Sequence, residues 1–400
     1  MHKPNDNWKS RAVLFLLSQS VSLFGSTLVQ MAIVWYVTLE TASGGWVAAF
    51  TICSYLPQFL ISFWGGVWAD RYHRKALIIG ADAMIAVVTL ILMLFLPYLQ
   101  GRAFLLPVIL AVSAIRSLGA GIQTPAGNAV IPLLVPEKQR MRFNGIYVAM
   151  QAAVQFAAPA AAGIILSLSS LRISLLADVI TALLGIGLLA GLRLPPQERS
   201  RSTATYFSDV KTVLRYALSH RTIARVLILY GLFIFFAVPG GFLAQLLVSR
   251  VFGSSYWYLT AAELAGFAGM TAGGLILGAW GGFQRRETTL ALGLASFGLL
   301  SVGMGLAKRF PLYLALMALY GISMTVVQTS VTMIIQDQAE KTIHGRIFGL
   351  MSTLYAGALP LGMAIFGPLA DVVPIQVLVV LSGIALLLTA PASRPIFERF

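Results

Sequence analysis

Polar residues along this 400-residue chain are gathered into short clusters, and the sequence between the clusters is almost unbroken apolar. Twelve apolar runs stand out, over 12–38, 45–69, 76–97, 103–125, 143–168, 173–192, 222–249, 257–280, 288–306, 311–335, 345–369 and 374–391. A helix needs roughly 20 predominantly apolar residues to cross the hydrocarbon core of a bilayer. Strands of a membrane barrel would instead alternate apolar and polar residues in stretches of about ten. The pattern therefore predicts an all-α membrane protein with twelve transmembrane helices. The first run continues from Ala12 to about Val37 with no small-residue cleavage site, so it reads as an uncleaved helix and not as a signal peptide.

One polar break is longer than a loop requires. Between Arg193 and Arg221 the chain passes through Pro195-Pro196 and a Ser/Arg/Thr stretch. It then places Tyr206, Phe207, Val210, Val213, Leu214 and Ala217 at near-helical spacing, the mark of an amphipathic helix lying along a membrane surface. The expected organisation is an N-terminal six-helix half (1–192), a cytoplasmic linker (193–221) and a C-terminal six-helix half (222–400). The halves echo each other: QTPAGNAVIPLLVPEKQRMRFNG (123–145) aligns with VQTSVTMIIQDQAEKTIHGRIFG (327–349) at an offset of 204, and Gly145 matches Gly349. Two helical halves related by such a parallel repeat are a transporter architecture.

Composition agrees with this reading and closes others. Mean hydropathy is +0.84, with 58% hydrophobic and 10% charged residues, whereas a soluble domain carries about 25% charged residues. The net charge of +14 follows from topology. With both termini cytoplasmic, 22 of the 28 Lys and Arg fall on the inner side, five (Arg102, Arg172, Arg250, Lys308, Arg309) on the outer, and Arg116 within a span. That is the positive-inside bias. Those cations are spread over six cytoplasmic segments, which argues against nucleic acid as a partner. The lone Cys53 permits neither a disulfide framework nor a cysteine metal site. The sequence contains no Gly-Lys dipeptide, hence no G-x-x-x-x-G-K-[ST] phosphate loop and no ATP site of that kind. His2, His73, His220 and His344 all lie outside the spans, and no nucleophile constellation accompanies them, so the chain is not expected to be an enzyme.

The densest charge cluster is GGVWADRYHRK (65–75), between the second and third runs. Topology needs its cations but not Asp70. A carboxylate at that membrane edge can accept hydrogen bonds from the positive end of a neighbouring helix, or pair with Arg74 one turn on. GGVWADRYHRKALI resembles the G-x-L-A-D-R-x-G-R-[RK]-x-x-L loop of the major facilitator superfamily, keeping Gly66, Ala69, Asp70, Arg71, Arg74 and Lys75, with Trp68 where Leu is usual and His73 where Gly is usual. Residues 7–38, 114–137 and 344–362 resemble the macrolide-efflux, drug:proton antiporter branch of that superfamily. The resemblance implies a conformational latch formed by Gly66, Asp70, Arg71, Arg74 and Lys75. In it, Asp70 meets the start of the eleventh span near His344–Arg346 and holds an outward-facing state.

Four ionisable residues interrupt the spans, each costing about 2.5–3.5 kcal/mol on insertion scales. Arg116 resembles the fourth-helix arginine of the drug:proton exporters, which implies a part in proton coupling; its plainer role is a hydrogen-bonded tie between helices. Asp178 and Glu263 are the proton-carrier candidates, since burial penalises a charged carboxylate, although either can simply bridge helices. Asp82 reads as part of the latch region or as a helix-start charge.

Polar but uncharged residues within the spans outline a substrate cavity: Gln19, Gln30, Gln123, Gln151, Gln155 and Gln328, with aromatics such as Tyr355. Gln151 and Gln155 share a helix face. Each amide can equally tie helices together. Amides and rings with few fixed charges suit a bulky amphipathic compound. The expectation is a monomeric secondary transporter of the bacterial cytoplasmic (inner) membrane. It would exchange protons for macrolide-like hydrophobic antimicrobials by alternating access, without a cofactor. Export of an endogenous metabolite such as a siderophore or lipid is the alternative, and a membrane sensor the more distant one.

Overall fold

The computed structural model describes residues 8–99, 102–192, 215–217, 219–340 and 344–393. The predicted linker helix over 206–217 falls almost wholly outside them. Among the described residues the chain is helical and forms no strand. In chain order the main helices are α1 (Trp8–Thr41), α2 (Gly44–Arg71), α3 (Arg74–Phe95), α4 (Arg102–Leu134), α5 (Arg140–Leu168), α6 (Leu171–Gly191) and α7 (Arg221–Ala237). They continue with α8 (Ala244–Val251), α9 (Tyr256–Trp280), α10 (Arg286–Leu306), α11 (Phe310–Gln338), α12 (His344–Val372) and α13 (Ile375–Thr389). Eleven helical segments among the described residues are long and apolar enough to cross a membrane.

The expected uninterrupted span over 222–249 is corrected. It divides into α7 and α8, joined by turns over 238–243. Pro239 brings no amide hydrogen to the helical ladder, and each of Gly240 and Gly241 costs about 1 kcal/mol in a helix interior. The freed backbone groups find partners locally. Gly241 N donates to the Ala237 carbonyl at 2.8 Å, and Phe242 and Leu243 N donate to the Val238 carbonyl at 2.9 and 3.0 Å. The Tyr320 hydroxyl on α11 adds a donor to Ala237 O at 3.3 Å. Such re-satisfaction is what lets a broken helix persist at membrane depth.

The chain gathers into two compact units, one of residues 1–37 and 50–202, the other of 38–49 and 203–400. In the first, α3 packs on α4 and α6, and α1 lies against α6. There the Ser18 hydroxyl donates to the Gly185 carbonyl at 2.8 Å, and a side chain at Gly25 would run into Thr181. In the second, α10 packs on α11 and α13 in the same way. A Cβ at Gly298 would come within 2.6 Å of the Gly383 carbonyl, so only glycine allows α10 and α13 to meet this closely. The repeat seen in sequence continues in the structure: the end of α4, both ends of α5 and the start of α6 each recur 204 residues later in α11, α12 and α13.

The second unit also holds the turn between α1 and α2, and it fixes that turn with charge. Asp371, one residue from the end of α12, accepts from Gly44 N at 2.6 Å, Gly45 N at 2.9 Å and the Ser43 hydroxyl at 2.8 Å. An acid from a distant helix thus caps the orphan amides at the start of α2. Arg250, at the end of α8, binds Asp371 at 3.0 Å and donates to the carbonyls of Ala42 and Ala370. Ala42 has a φ of 49°, a left-handed conformation that costs an ordinary residue roughly 1–2 kcal/mol, and its carbonyl is one that Arg250 holds. Replacing Asp371 with Ala should cost about 1–2 kcal/mol, the scale of a lost helix cap. Tryptophan fluorescence followed through thermal unfolding in detergent should show an earlier transition for Asp371→Ala and a smaller loss for Asp371→Asn, which keeps one acceptor.

Candidate functional site

The most polar place in the interior lies in the first unit, where α1, α3, α4 and α6 meet. Arg116 on α4 forms an ion pair with Asp178 on α6, and its guanidinium also donates to Thr89 on α3. Thr89 Oγ1 lies 3.1 Å from Asp178 Oδ2. Ser22 on α1 donates to Asp82 Oδ1 on α3 at 3.1 Å. Asp178 is 1% exposed, Asp82 3% and Arg116 9%. Asp82, Ile85 and Thr89 are three and four residues apart, so α3 turns one face to the cluster.

Beside the cluster is a narrow cleft with about 60 Å³ of free space, lined by Ser26, Gln30, Ser54, Gln58, Ser113 and Ser117, with Arg116 in its wall and Phe50, Ile33 and Ile85 as apolar surface. Its shape owes much to Pro57. Next to that proline the α2 ladder opens, and Ser117 of α4 inserts into it. The Ser117 hydroxyl donates to Ser54 O at 2.7 Å and accepts from Gln58 N at 2.8 Å, taking the place of the direct bond between those two residues. Hydroxyls and amides around a single guanidinium offer hydrogen bonds to a polar edge, while the ring and aliphatic surface receives an apolar body.

The structure redistributes several sequence expectations. Arg116, Asp178 and Gln30 come together at this centre. Glu263 belongs to the second unit, where it is half-buried and accepts a long bond of 3.4 Å from the Gln245 amide. Gln245 Oε1 and the Tyr313 hydroxyl are buried there without a hydrogen-bond partner among the described residues. Gln19 is 6% exposed with its Nε2 likewise unpartnered. Gln151 hydrogen-bonds Tyr147 on its own helix, and Gln155 is exposed. Gln123, Gln328 and Tyr355 are half-buried, the last two in the second unit. Asp82 is corrected from a latch or helix-start charge to a member of the buried cluster. Its seven-residue spacing from Thr89, two helical turns, was the available signal. Gln58, Ser117 and Gln245 went unnoticed because each matters only through a partner on another helix.

The 65–75 stretch is also sharper in the structure. Arg74 donates to Ala69 O at 3.0 Å and to Ala129 O on α4 at 2.7 Å. Lys75 donates to Ala190 O and Leu192 O at the end of α6, at 2.7 and 2.9 Å. Arg74 thereby joins the end of α2 to α4, and Lys75 satisfies carbonyls at the end of α6, all within the first unit. Arg71 is exposed. A Cβ at Gly66 would meet nothing, whereas one at Gly65 would reach the Gly121 carbonyl and Pro125 on α4, so Gly65 is the glycine of close approach. The side chains of Asp70 and of residues 344–346 lie outside the described residues, and with them the expected latch contact.

Residues 15–363 match the sequence profile of the Major Facilitator Superfamily. The chain belongs to that superfamily. It is 27% identical over 387 residues to macrolide efflux protein A of Streptococcus pyogenes, covering 96% of this chain and 95% of that protein. It is 25% identical over 380 residues to the multidrug efflux pump Tap of Mycobacterium tuberculosis, covering 90% and 87%. Among solved structures, a bacterial homologue of the iron transporter ferroportin in an inward-facing state superposes with a TM-score of 0.73 at 16% identity, over 96% of this chain and 98% of that one. That likeness carries the fold. The protein is a multi-pass membrane transporter of the major facilitator superfamily and not an enzyme.

In this major facilitator protein the buried acidic and basic side chains among the described residues, Asp82, Arg116 and Asp178, all sit in the first unit. Removing one member of a buried ion pair costs about 3–5 kcal/mol because the other charge is left uncompensated, while replacing both by apolar groups is often neutral. Arg116→Leu and Asp178→Leu should each lower stability by that order, and the double variant should recover most of it. Chemical unfolding of the purified proteins in detergent micelles measures all three. Single and double losses that simply add would show that the pair contributes nothing as a pair.

Proposed function

We propose that this transporter exports bulky hydrophobic antimicrobials, macrolide-like in size and polarity, in exchange for protons across the bacterial cytoplasmic membrane. The observation that carries the reading is the buried Arg116–Asp178 pair in contact with a cleft of amides and hydroxyls. A charged pair is costly inside an apolar bundle, and intramembrane ionisable groups mark ion pathways. The cleft beside it has the mixed character that an amphipathic cargo needs. The two efflux relatives agree in direction and in cargo class. In this reading α7, the turns over 238–243 and α8 form one interrupted crossing, the count is twelve, and both termini face the cytoplasm, as the Lys and Arg bias favours. The protein acts as a monomer, without a cofactor, driven by the proton motive force. Asp70 and the start of α12 form the latch that opens and closes with each cycle, and Glu263 with Gln245 provides a second polar station in the other unit.

The test is accumulation of labelled erythromycin in an efflux-deficient bacterium. Expression of the protein should lower accumulation several-fold, and a protonophore should restore it to the level of the control strain. Arg116→Gln should abolish the difference at equal membrane abundance. Unchanged accumulation with verified protein in the membrane would remove the macrolide assignment. Lowered accumulation that ignores the protonophore would remove the proton.

A further inference from the structure

The buried cluster does not balance. It holds one cation and two carboxyl groups, and the cation is already taken: Arg116 bonds Asp178 directly, and Thr89 is placed between them. Asp82 receives only the Ser22 hydroxyl on Oδ1, and its buried Oδ2 has no hydrogen-bond partner among the described residues. The charged or titratable groups facing it are few. On α6 there is Asp178, whose charge reaches Asp82, and on α4 Arg116, the ion-pair partner of Asp178. The neighbouring buried polar residues of α1 and α3 are the hydroxyls of Ser22 and Thr89.

We propose that Asp82 carries the exchanged proton, and that Asp178 serves as the fixed partner of Arg116. The proposal rests on the proton-coupled reading above. With a proton on Asp82 the centre is neutral: one guanidinium, one carboxylate and one carboxylic acid. When Asp82 gives that proton to water, the centre gains one negative charge with no countercharge of its own. That charge repels the carboxylate of Asp178 and so bears on the Arg116–Asp178 tie between α4 and α6. Taking up a proton from water reverses the step, so no further reactant is consumed. Water reaches this region by the cleft, whose wall includes Ile85, one turn along α3 from Asp82, and Arg116 itself. Proton occupancy of Asp82 and cargo contact in the cleft therefore bear on the same guanidinium. A carboxyl without a countercharge is the group whose proton changes the local charge balance most, whereas Asp178 is held by its ion pair throughout.

Infrared difference spectroscopy of the full-length protein in lipid vesicles tests this without a cargo. The wild type should show a carboxylic-acid C=O band that disappears on raising the pH and returns on lowering it. Asp82→Asn should lose that band entirely. Asp82→Glu, the more conservative change, should keep a titrating band displaced in frequency. A wild type with no titrating band would overturn the assignment, as would a band that survives Asp82→Asn or stays unmoved in Asp82→Glu. The erythromycin assay keeps the two failures apart. Protonophore-sensitive efflux without an Asp82 band removes only the assignment to Asp82. An Asp82 band together with efflux that ignores the protonophore removes the carrier role and the proton-coupled reading with it.

Discussion

A guanidinium placed among apolar helices must be neutralised where it stands, and the first unit is organised around that requirement. Arg116 stands in the middle of α4 and is only 9% exposed, so its neutralising partners must come to it. Asp178 brings α6, and Thr89 brings α3. The approach of α1 to α6 at Gly25 and Gly185 then places Ser22 on Asp82. Breaking a buried pair costs about 3–5 kcal/mol, more than any single helix cap or hydroxyl bond, which is typically near 1 kcal/mol. The ion pair thus fixes the relative rotation of three helices, and the smaller interactions follow from it. Ser117 is an example. It lies next to Arg116 on α4, so the α4 orientation that serves the guanidinium also presents the hydroxyl to the open rung beside Pro57.

Much of this architecture was legible in the sequence because the bilayer leaves few alternatives. A segment that must satisfy every backbone group internally becomes a helix, so apolar runs translate directly into spans. The 204-residue echo likewise survived as matching helix ends. Arg116 stood out by its rarity. The interrupted span over 222–249 was missed although Pro239-Gly240-Gly241 is a plain breaker signal, because the apolar run continues through it and length outweighed the local signal. Asp82 was misjudged for a different reason. Its depth along α3 was read from sequence position, but its surroundings depend on residues 60 and 96 positions away. Hydropathy marks which residues are inside a helical protein and says nothing about which of them meet.

The glycines show the same division. Gly66 belongs to the recognisable motif, yet it faces open space, while Gly65 beside it is the residue pressed against α4. A motif preserves spacing, and the spacing alone does not say which member bears the packing. Arg74 and Lys75 are comparable. Their charge reads as topology and latch, and in the structure both donate to backbone carbonyls, those of Ala69 and Ala129 for Arg74 and those of Ala190 and Leu192 for Lys75. A cation that donates to backbone carbonyls still keeps its charge, so the structural role does not displace the electrostatic one.

The repeat makes the asymmetry between the units informative. The residue 204 positions after Arg116 is Tyr320, and the one 204 after Asp178 is Ser382. Both are buried and neutral. Where the first unit has an ion pair, the second has hydroxyls, and Tyr320 uses its own to satisfy Ala237 O at the end of α7. The pairing of the third helix with the fourth and sixth is kept in both units, so it does not depend on charge: close packing through residues such as Gly298 and Gly383 suffices for it. Among the described residues the second unit therefore builds the corresponding pairing without buried charge. The same helix pairing thus stands on two physical supports, an ion pair with its hydrogen bonds in the first unit and close glycine contacts with hydroxyls in the second.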